Sequence, residues 1–195
     1  MLGAVTQGVS ALRTPANLLT FTRIALSPLL FAIILGAEDQ QGAGWTAFAL
    51  GWVLAATDFY DGRLARRAKS VSRMGAFLDP LADKIVVLGT CSCLVVVDRY
   101  WIVPVALIAV RELGITLWRT FWLRRGLSVP ARSSAKYKTL VQGIALLVAV
   151  CPPLRDADAL VAGVLWVAVA FTVYSGAQYV RDGRAATSMN GAPTY

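Results

Sequence analysis

From Ala159 to Val180 the chain carries no charged residue at all. A helix rising about 1.5 Å per residue over that run spans the roughly 30 Å hydrocarbon core of a bilayer. Inside lipid every backbone amide and carbonyl must be paired within the chain, so such a run can be only a helix or part of a closed barrel. Three further runs behave similarly: Arg23 opens an uncharged stretch to Ala37, Gln40 to Thr57 is charge-free, and Thr139 to Leu154 is charge-free. With 57% hydrophobic and 15% charged residues over 195 positions, the chain reads as a polytopic all-α integral membrane protein rather than a soluble domain.

The charges between these runs set a topology. Arg63, Arg66, Arg67, Lys69 and Arg73 crowd one link, and Arg119, Arg124, Arg125, Arg132, Lys136 and Lys138 another. Glu38 and Asp39 stand in a stretch without Lys or Arg, and of the 19 basic residues only Arg99 and Arg155 fall on the same side as that stretch. Lys and Arg concentrate on the cytoplasmic side of membrane proteins. Six transmembrane helices follow, with the N- and C-termini cytoplasmic and the protein in the cell (inner or plasma) membrane. The third runs from about Gly75 to Val97, the fourth starts near Trp101, and the second crosses only if it continues past Thr57. Residues 1–16 form a polar lead without a signal-peptide core, 185–195 a flexible tail, and 1–195 a single membrane domain. The net charge of +8 is explained by topology, so no nucleic-acid partner is implied.

Four carboxylates interrupt this apolar background in the stretch Asp58-Phe-Tyr-Asp61-Gly62-Arg-Leu-Ala65-Arg66, continued through Gly75 to Asp79-Pro-Leu-Ala-Asp83-Lys84. On a helix Asp58 and Asp61 share a face with Ala65, and Asp79 and Asp83 share one with Gly75. If the basic link makes the two helices antiparallel neighbours, four like charges meet, and that requires either protonation or a bound cation. The chain has no His, and Cys91, Cys93 and Cys151 lie in apolar runs without zinc-site spacing. An all-oxygen donor set suits a hard cation, Mg²⁺ or Mn²⁺, with two ions plausible for four acids. The bland reading, solvated helix-end acids, suits one Asp better than four in register.

The spacing Asp-x2-Asp-Gly-x2-Ala-Arg-x8-Gly-x3-Asp-x3-Asp, present without a gap from Asp58 to Asp83, resembles the signature of the CDP-alcohol phosphotransferases. The resemblance implies that Asp58, Asp61 and Asp79 hold metal and that Asp83 helps hold it and acts as base. It also implies that Asp61, Gly62, Ala65, Arg66, Gly75 and Asp79 receive the cytidine nucleotide of CDP-diacylglycerol. Membrane lipids surround such a site, which faces the cytoplasm, and relatives of this kind are homodimers. Asn17, Thr20 and Arg23 match positions ahead of the first span in bacterial phospholipid synthases, although Arg23 also suits simple snorkelling to the interface.

Arg111-Glu112 lies within the fourth span. Adjacent helix positions diverge, so the two are expected not to neutralise each other readily, which makes Arg111 a site candidate, with pairing to an acid on a neighbouring helix as the competing reading. Together with Arg119, Lys136 and Lys138 it offers cations for an acceptor that carries its own phosphate. The stretch from Val110 to Thr139 resembles the branch of the family that takes glycerol 3-phosphate and makes phosphatidylglycerophosphate, departing from it at Ala135, where that branch has Gly. Inositol phosphate satisfies the same charge argument, and phosphatidylglycerol remains an alternative acceptor. A cation transporter using the four acids as an ion path is the rival class, but it gives no reason for the spacing of Gly62, Ala65, Arg66 and Gly75.

Overall fold

The computed structural model describes residues 15–68, 73–124 and 134–190, with side chains placed for 20–57, 81–118, 120–121 and 137–181. These residues form six α-helices and no strand: α1 Pro15–Leu35, α2 Trp45–Ala68, α3 Arg73–Val96, α4 Ile102–Arg124, α5 Ser134–Val150 and α6 Asp158–Asn190. Short 3-10 turns at Glu38–Gln40 and Pro152–Leu154 follow α1 and α5. The continuation of the second apolar run into the acidic stretch is observed, since α2 extends unbroken to Ala68. At about 1.5 Å per residue its 24 residues reach roughly 36 Å. Among the described residues one helix, Asp158–Arg181, is by itself long and apolar enough to cross a membrane; Thr20–Leu35, Trp45–Thr57 and Tyr137–Val150 are shorter apolar segments.

Two boundaries differ from the sequence expectation. The charge-free run to Leu154 does not stay α-helical, because Pro152 disfavours helical backbone at Cys151, whose ψ is 116°. At the other end α6 continues through 185–190, the first part of the expected tail: Ala185 and Ala186 favour helix, and Gly191 is the first stop signal. The polar lead 1–14, the links 69–72 and 125–133, and 191–195 lie outside the described residues.

The chain divides into two compact units, 1–100 with 146–157, and 101–145 with 158–195. In the first, α1 packs against both α2 and α3. Its buried positions are Thr20, Arg23, Ser27, Leu30 and Ile34, an alternation of three and four residues that draws one seam along the helix. The seam is polar toward the N-terminus and apolar toward the C-terminus. Pro28 lies inside α1 and has no amide to give the carbonyl of Ile24; the Ser27 hydroxyl donates to that carbonyl at 2.9 Å instead. Gly89 of α3 admits the Phe31 ring of α1, for a Cβ there would stand 2.3 Å from a ring carbon.

Beyond α1 the chain turns through Gln41 and Gly42, both at positive φ, and a Cβ on Gly42 would also lie 2.8 Å from Ile34. Arg99, expected only as an outer-turn charge, is 7% exposed and ties three turns together. It donates to the carbonyls of Ala149 (3.1 Å), Leu154 (2.7 Å) and Arg155 (2.7 Å) and to Gln41 Oε1 (3.2 Å). Helix ends leave carbonyls without intrahelical donors, and the α5 end meets that need with a guanidinium.

In the second unit α4 packs on α6. Val161, Leu165, Ala168, Thr172 and Ser175 are buried, again at alternating spacings of four and three, and Val105, Ile108 and Glu112 are buried on α4. Trp118 meets Tyr179 edge to face at 5.5 Å between ring centroids. Small residues on the α6 seam, Ala168, Ser175 and Gly176, let the backbones approach closely.

Candidate functional site

The backbone of α2 carries Asp58, Asp61, Gly62, Ala65 and Arg66, and that of α3 carries Gly75, Asp79 and Asp83. Helical backbone on both sides puts Asp58 and Asp61 on one face of α2 and Asp79 and Asp83 on one face of α3. The side chains of 58–80 lie outside the described set, as do those of Asn17, Arg119 and Lys136, although the backbones of all three are helical. Asp83 is half-buried beside fully buried Ala82. Among the described residues no group of three or more His, Cys, Asp or Glu is assembled for a metal, and three of the four carboxylates fall outside that search. By donor chemistry the set fits a hard divalent cation: four Asp at helical spacings of three and four, in a chain without His.

Sequence reasoning treated α2 and α3 as partners and missed what lies between them in the order of packing. Both helices rest on α1, and the polar half of the α1 seam supplies Thr20 and Arg23. Arg23 is 3% exposed, so its side chain does not reach out to an interface as snorkelling would require.

The second unit holds a buried polar network. Glu112 Oε1 accepts from Lys138 Nζ at 2.6 Å, Arg111 Nη1 at 3.1 Å and Gln142 Nε2 at 3.4 Å. Arg111 Nη2 donates to Ser175 Oγ at 2.8 Å, and Gln142 Nε2 to Thr172 Oγ1 at 2.9 Å. Ser175 Oγ in turn donates to the Thr172 carbonyl at 3.0 Å. Side chains of Arg111, Glu112 and Lys138 are 14%, 7% and 6% exposed. The expectation that Arg111 and Glu112 fail to neutralise each other is therefore wrong. Their Cβ atoms diverge by about 100° around the helix, but both stems are long and flexible, and Lys138 on α5 gives the two head groups a common meeting point.

Lys138, expected to face an acceptor phosphate, is thus engaged by Glu112. Gln142, Thr172 and Ser175 were not singled out from the sequence. Each is an isolated polar residue in an apolar run, and the only signal was that such residues in a lipid-facing helix turn inward.

Apolar helices, paired acids at helical spacing and a buried polar network mark an all-helical protein with two concentrations of charge. The family model for CDP-alcohol phosphatidyltransferases matches residues 13–174. The chain belongs to the CDP-alcohol phosphatidyltransferase family. It is 36% identical over 167 residues to a probable phosphatidylglycerophosphate synthase of Mycobacterium tuberculosis H37Rv, covering 85% of this chain and 79% of that protein. It is similar at 36% over 175 residues to the CDP-diacylglycerol–glycerol-3-phosphate 3-phosphatidyltransferase of Pectobacterium atrosepticum, with 86% and 93% covered. The Bacillus subtilis protein of the same name is 35% identical over 182 residues, with 84% and 91% covered.

Proposed function

We propose that the protein transfers the phosphatidyl group of CDP-diacylglycerol to a hydroxyl of glycerol 3-phosphate, releasing CMP and forming phosphatidylglycerophosphate. The observation that carries this reading is that relatives sharing about a third of their residues over most of both chains bear the name of this transfer. In the reaction a new P–O bond forms between the acceptor oxygen and the lipid-bearing phosphorus. The bond from that phosphorus to the bridging oxygen of the pyrophosphate breaks, CMP leaves with that oxygen and the bonding electron pair, and the hydroxyl proton passes to the Asp83 carboxylate.

Asp58, Asp61, Asp79 and Asp83 would hold Mg²⁺ or Mn²⁺, in our reading two ions, which when bound neutralise the phosphates and stabilise charge on the leaving group. Gly62, Ala65 and Gly75 leave room for the cytidine nucleotide, with Arg66 and the neighbouring acids completing its pocket. Arg111, Arg119 and Lys136 form the cationic side that receives the acceptor's phosphate, with Lys138 joined to Arg111 through Glu112, and Thr20 and Arg23 line the polar half of α1. The protein resides in the cell membrane as six spans with a cytoplasmic site, and works as a homodimer. Outward-facing Trp45, Trp101, Val110 and Leu117, each well over half exposed, support a lipid-facing surface.

The test is CMP release from CDP-diacylglycerol by the detergent-purified protein with Mg²⁺, across glycerol 3-phosphate, inositol phosphate, phosphatidylglycerol and neutral alcohols. Glycerol 3-phosphate is expected to give the highest kcat/KM, and no CMP with any acceptor would leave the transporter reading standing. Asp83→Asn should abolish transfer while CDP-lipid binding persists. Turnover within a fewfold of wild type would remove Asp83 as the base.

A further inference from the structure

Among the described side chains the network around Glu112 is not charge-balanced. Arg111 and Lys138 bring two positive charges and Glu112 one negative, so one positive charge remains in a place where all three side chains are largely shielded from water. Buried surplus charge is unfavourable unless an opposite charge joins it. The Arg111 guanidinium is also incompletely used: among the described residues its Nε is buried and makes no hydrogen bond, while both Nη atoms are taken. Lys138 is different, with its ammonium held at 2.6 Å from Glu112 and the lysine buried to the same degree as its partner.

Two features fix where the guanidinium lies. Glu112 and Ser175 hold one Nη each. Gly176 makes the space, since a Cβ there would stand 3.2 Å from Arg111 Cγ and from Nε. A methyl at 176 must push the arginine stem aside.

We infer that Glu112 is a positioning residue for a phosphate-bearing acceptor: by binding Lys138 and Arg111 together it fixes the guanidinium, 14% exposed, and leaves the network one positive charge for the phosphate. Lys138 then acts through Glu112 rather than on the ligand, and Gly176 sets the depth at which Arg111 lies. This rests on the acceptor reading above, and narrows it from a set of cations to one hydrogen-bonded network around Arg111.

The experiment uses three variants of the full-length protein in detergent, Glu112→Asp, Gly176→Ala and the double variant Glu112→Gln with Lys138→Gln. Each keeps the network at one surplus positive charge, so a change reports position and not charge. Steady-state KM is measured for glycerol 3-phosphate and for CDP-diacylglycerol. Displacing one charge-assisted contact corresponds to about a tenfold loss or more. A rise of that size in KM for glycerol 3-phosphate, with KM for CDP-diacylglycerol within about twofold, is the expected result.

Equal changes for both substrates, or unchanged KM values in folded protein, overturn the inference. Should Glu112→Asp fail to fold, the double variant exchanges the buried pair for neutral amides and Gly176→Ala adds a single methyl, so either decides the matter. The rise in melting temperature on adding glycerol 3-phosphate needs no turnover, and should be present in wild type and much reduced in the variants. Its presence without CMP release would overturn the proposed reaction and not the positioning role. Wild-type activity confined to neutral alcohols would overturn both.

Discussion

Arg99 and Arg111 are both arginines drawn into the interior of an apolar helical protein, and they are satisfied in opposite ways. Arg99 donates to three main-chain carbonyls and one side-chain amide, all neutral oxygens, with the carbonyls at the end of α5 and the turn beyond it. Helix C-termini carry partial negative charge, so these dipoles stabilise a cation. Arg111 instead shares one carboxylate with a lysine and keeps an idle Nε. A guanidinium surrounded by fixed dipoles has its geometry completed by the fold. One that shares a single acid with a lysine leaves, among the described side chains, one positive charge without an anion.

The contrast is broken most severely at Arg99. Arg99→Ala takes this donor from one buried carbonyl, that of Ala149, and from two part-buried ones, so a loss of about 3 kcal/mol is expected. Thermal unfolding in detergent measures it, and KM for both substrates in the protein that remains folded should be unchanged. A shift in acceptor KM would show that the two arginines are not separable.

Arg111→Ala should do the converse. It removes a charge-assisted contact of about 1.5 to 3 kcal/mol from acceptor binding, a tenfold to hundredfold rise in KM for glycerol 3-phosphate with CDP-diacylglycerol nearly unaffected. Arg111→Lys should recover little, because one ammonium cannot reproduce the planar fork that holds Glu112 and Ser175 on separate nitrogens. Unchanged acceptor KM in both would mean that the network only holds α4 to its neighbours.

Gly89→Ala, in the same unit as Arg99, sharpens the comparison by destabilising without touching charge. The added methyl meets the Phe31 ring, and overpacking of this kind costs about 1 to 3 kcal/mol. A lower melting temperature with both KM values intact is expected. The smallest effect belongs to Asp98, which sits at φ 55° just before Arg99. Asp98→Gly relieves a left-handed backbone that Asp tolerates reasonably well, so a change of at most about 0.5 kcal/mol toward stability is expected from the same melting measurement.

The acidic stretch and the helices that carry it were legible because both are local. Spacings of three and four within Asp58–Asp61 and Asp79–Asp83 need only a helix to acquire a common face, and charge-free runs need only length. Packing between distant segments was not legible. Arg23 suits an interfacial position in sequence, and the burial of Thr20, Arg23 and Ser27 depends on where α2 and α3 return. Glu112 shows the same limit at side-chain scale. Its neighbour in sequence suggested divergence, while its true organiser, Lys138, lies 26 positions later.

The hydrogen bonds of Arg99 also impose an order in time. Its Ala149 acceptor lies 50 positions further along the chain, and the unit that contains Arg99 includes 146–157. A ribosome adding about 5 to 20 residues per second needs roughly 3 to 10 seconds to cover that distance. Throughout that interval α1, α2 and α3 exist without the segment that completes their unit, and the guanidinium lacks its acceptors from 149–155. The first half of the protein therefore matures only after most of the second half has been synthesised, and a nascent chain halted before Ala149 should remain more sensitive to protease around Asp98 than one released beyond Ala157.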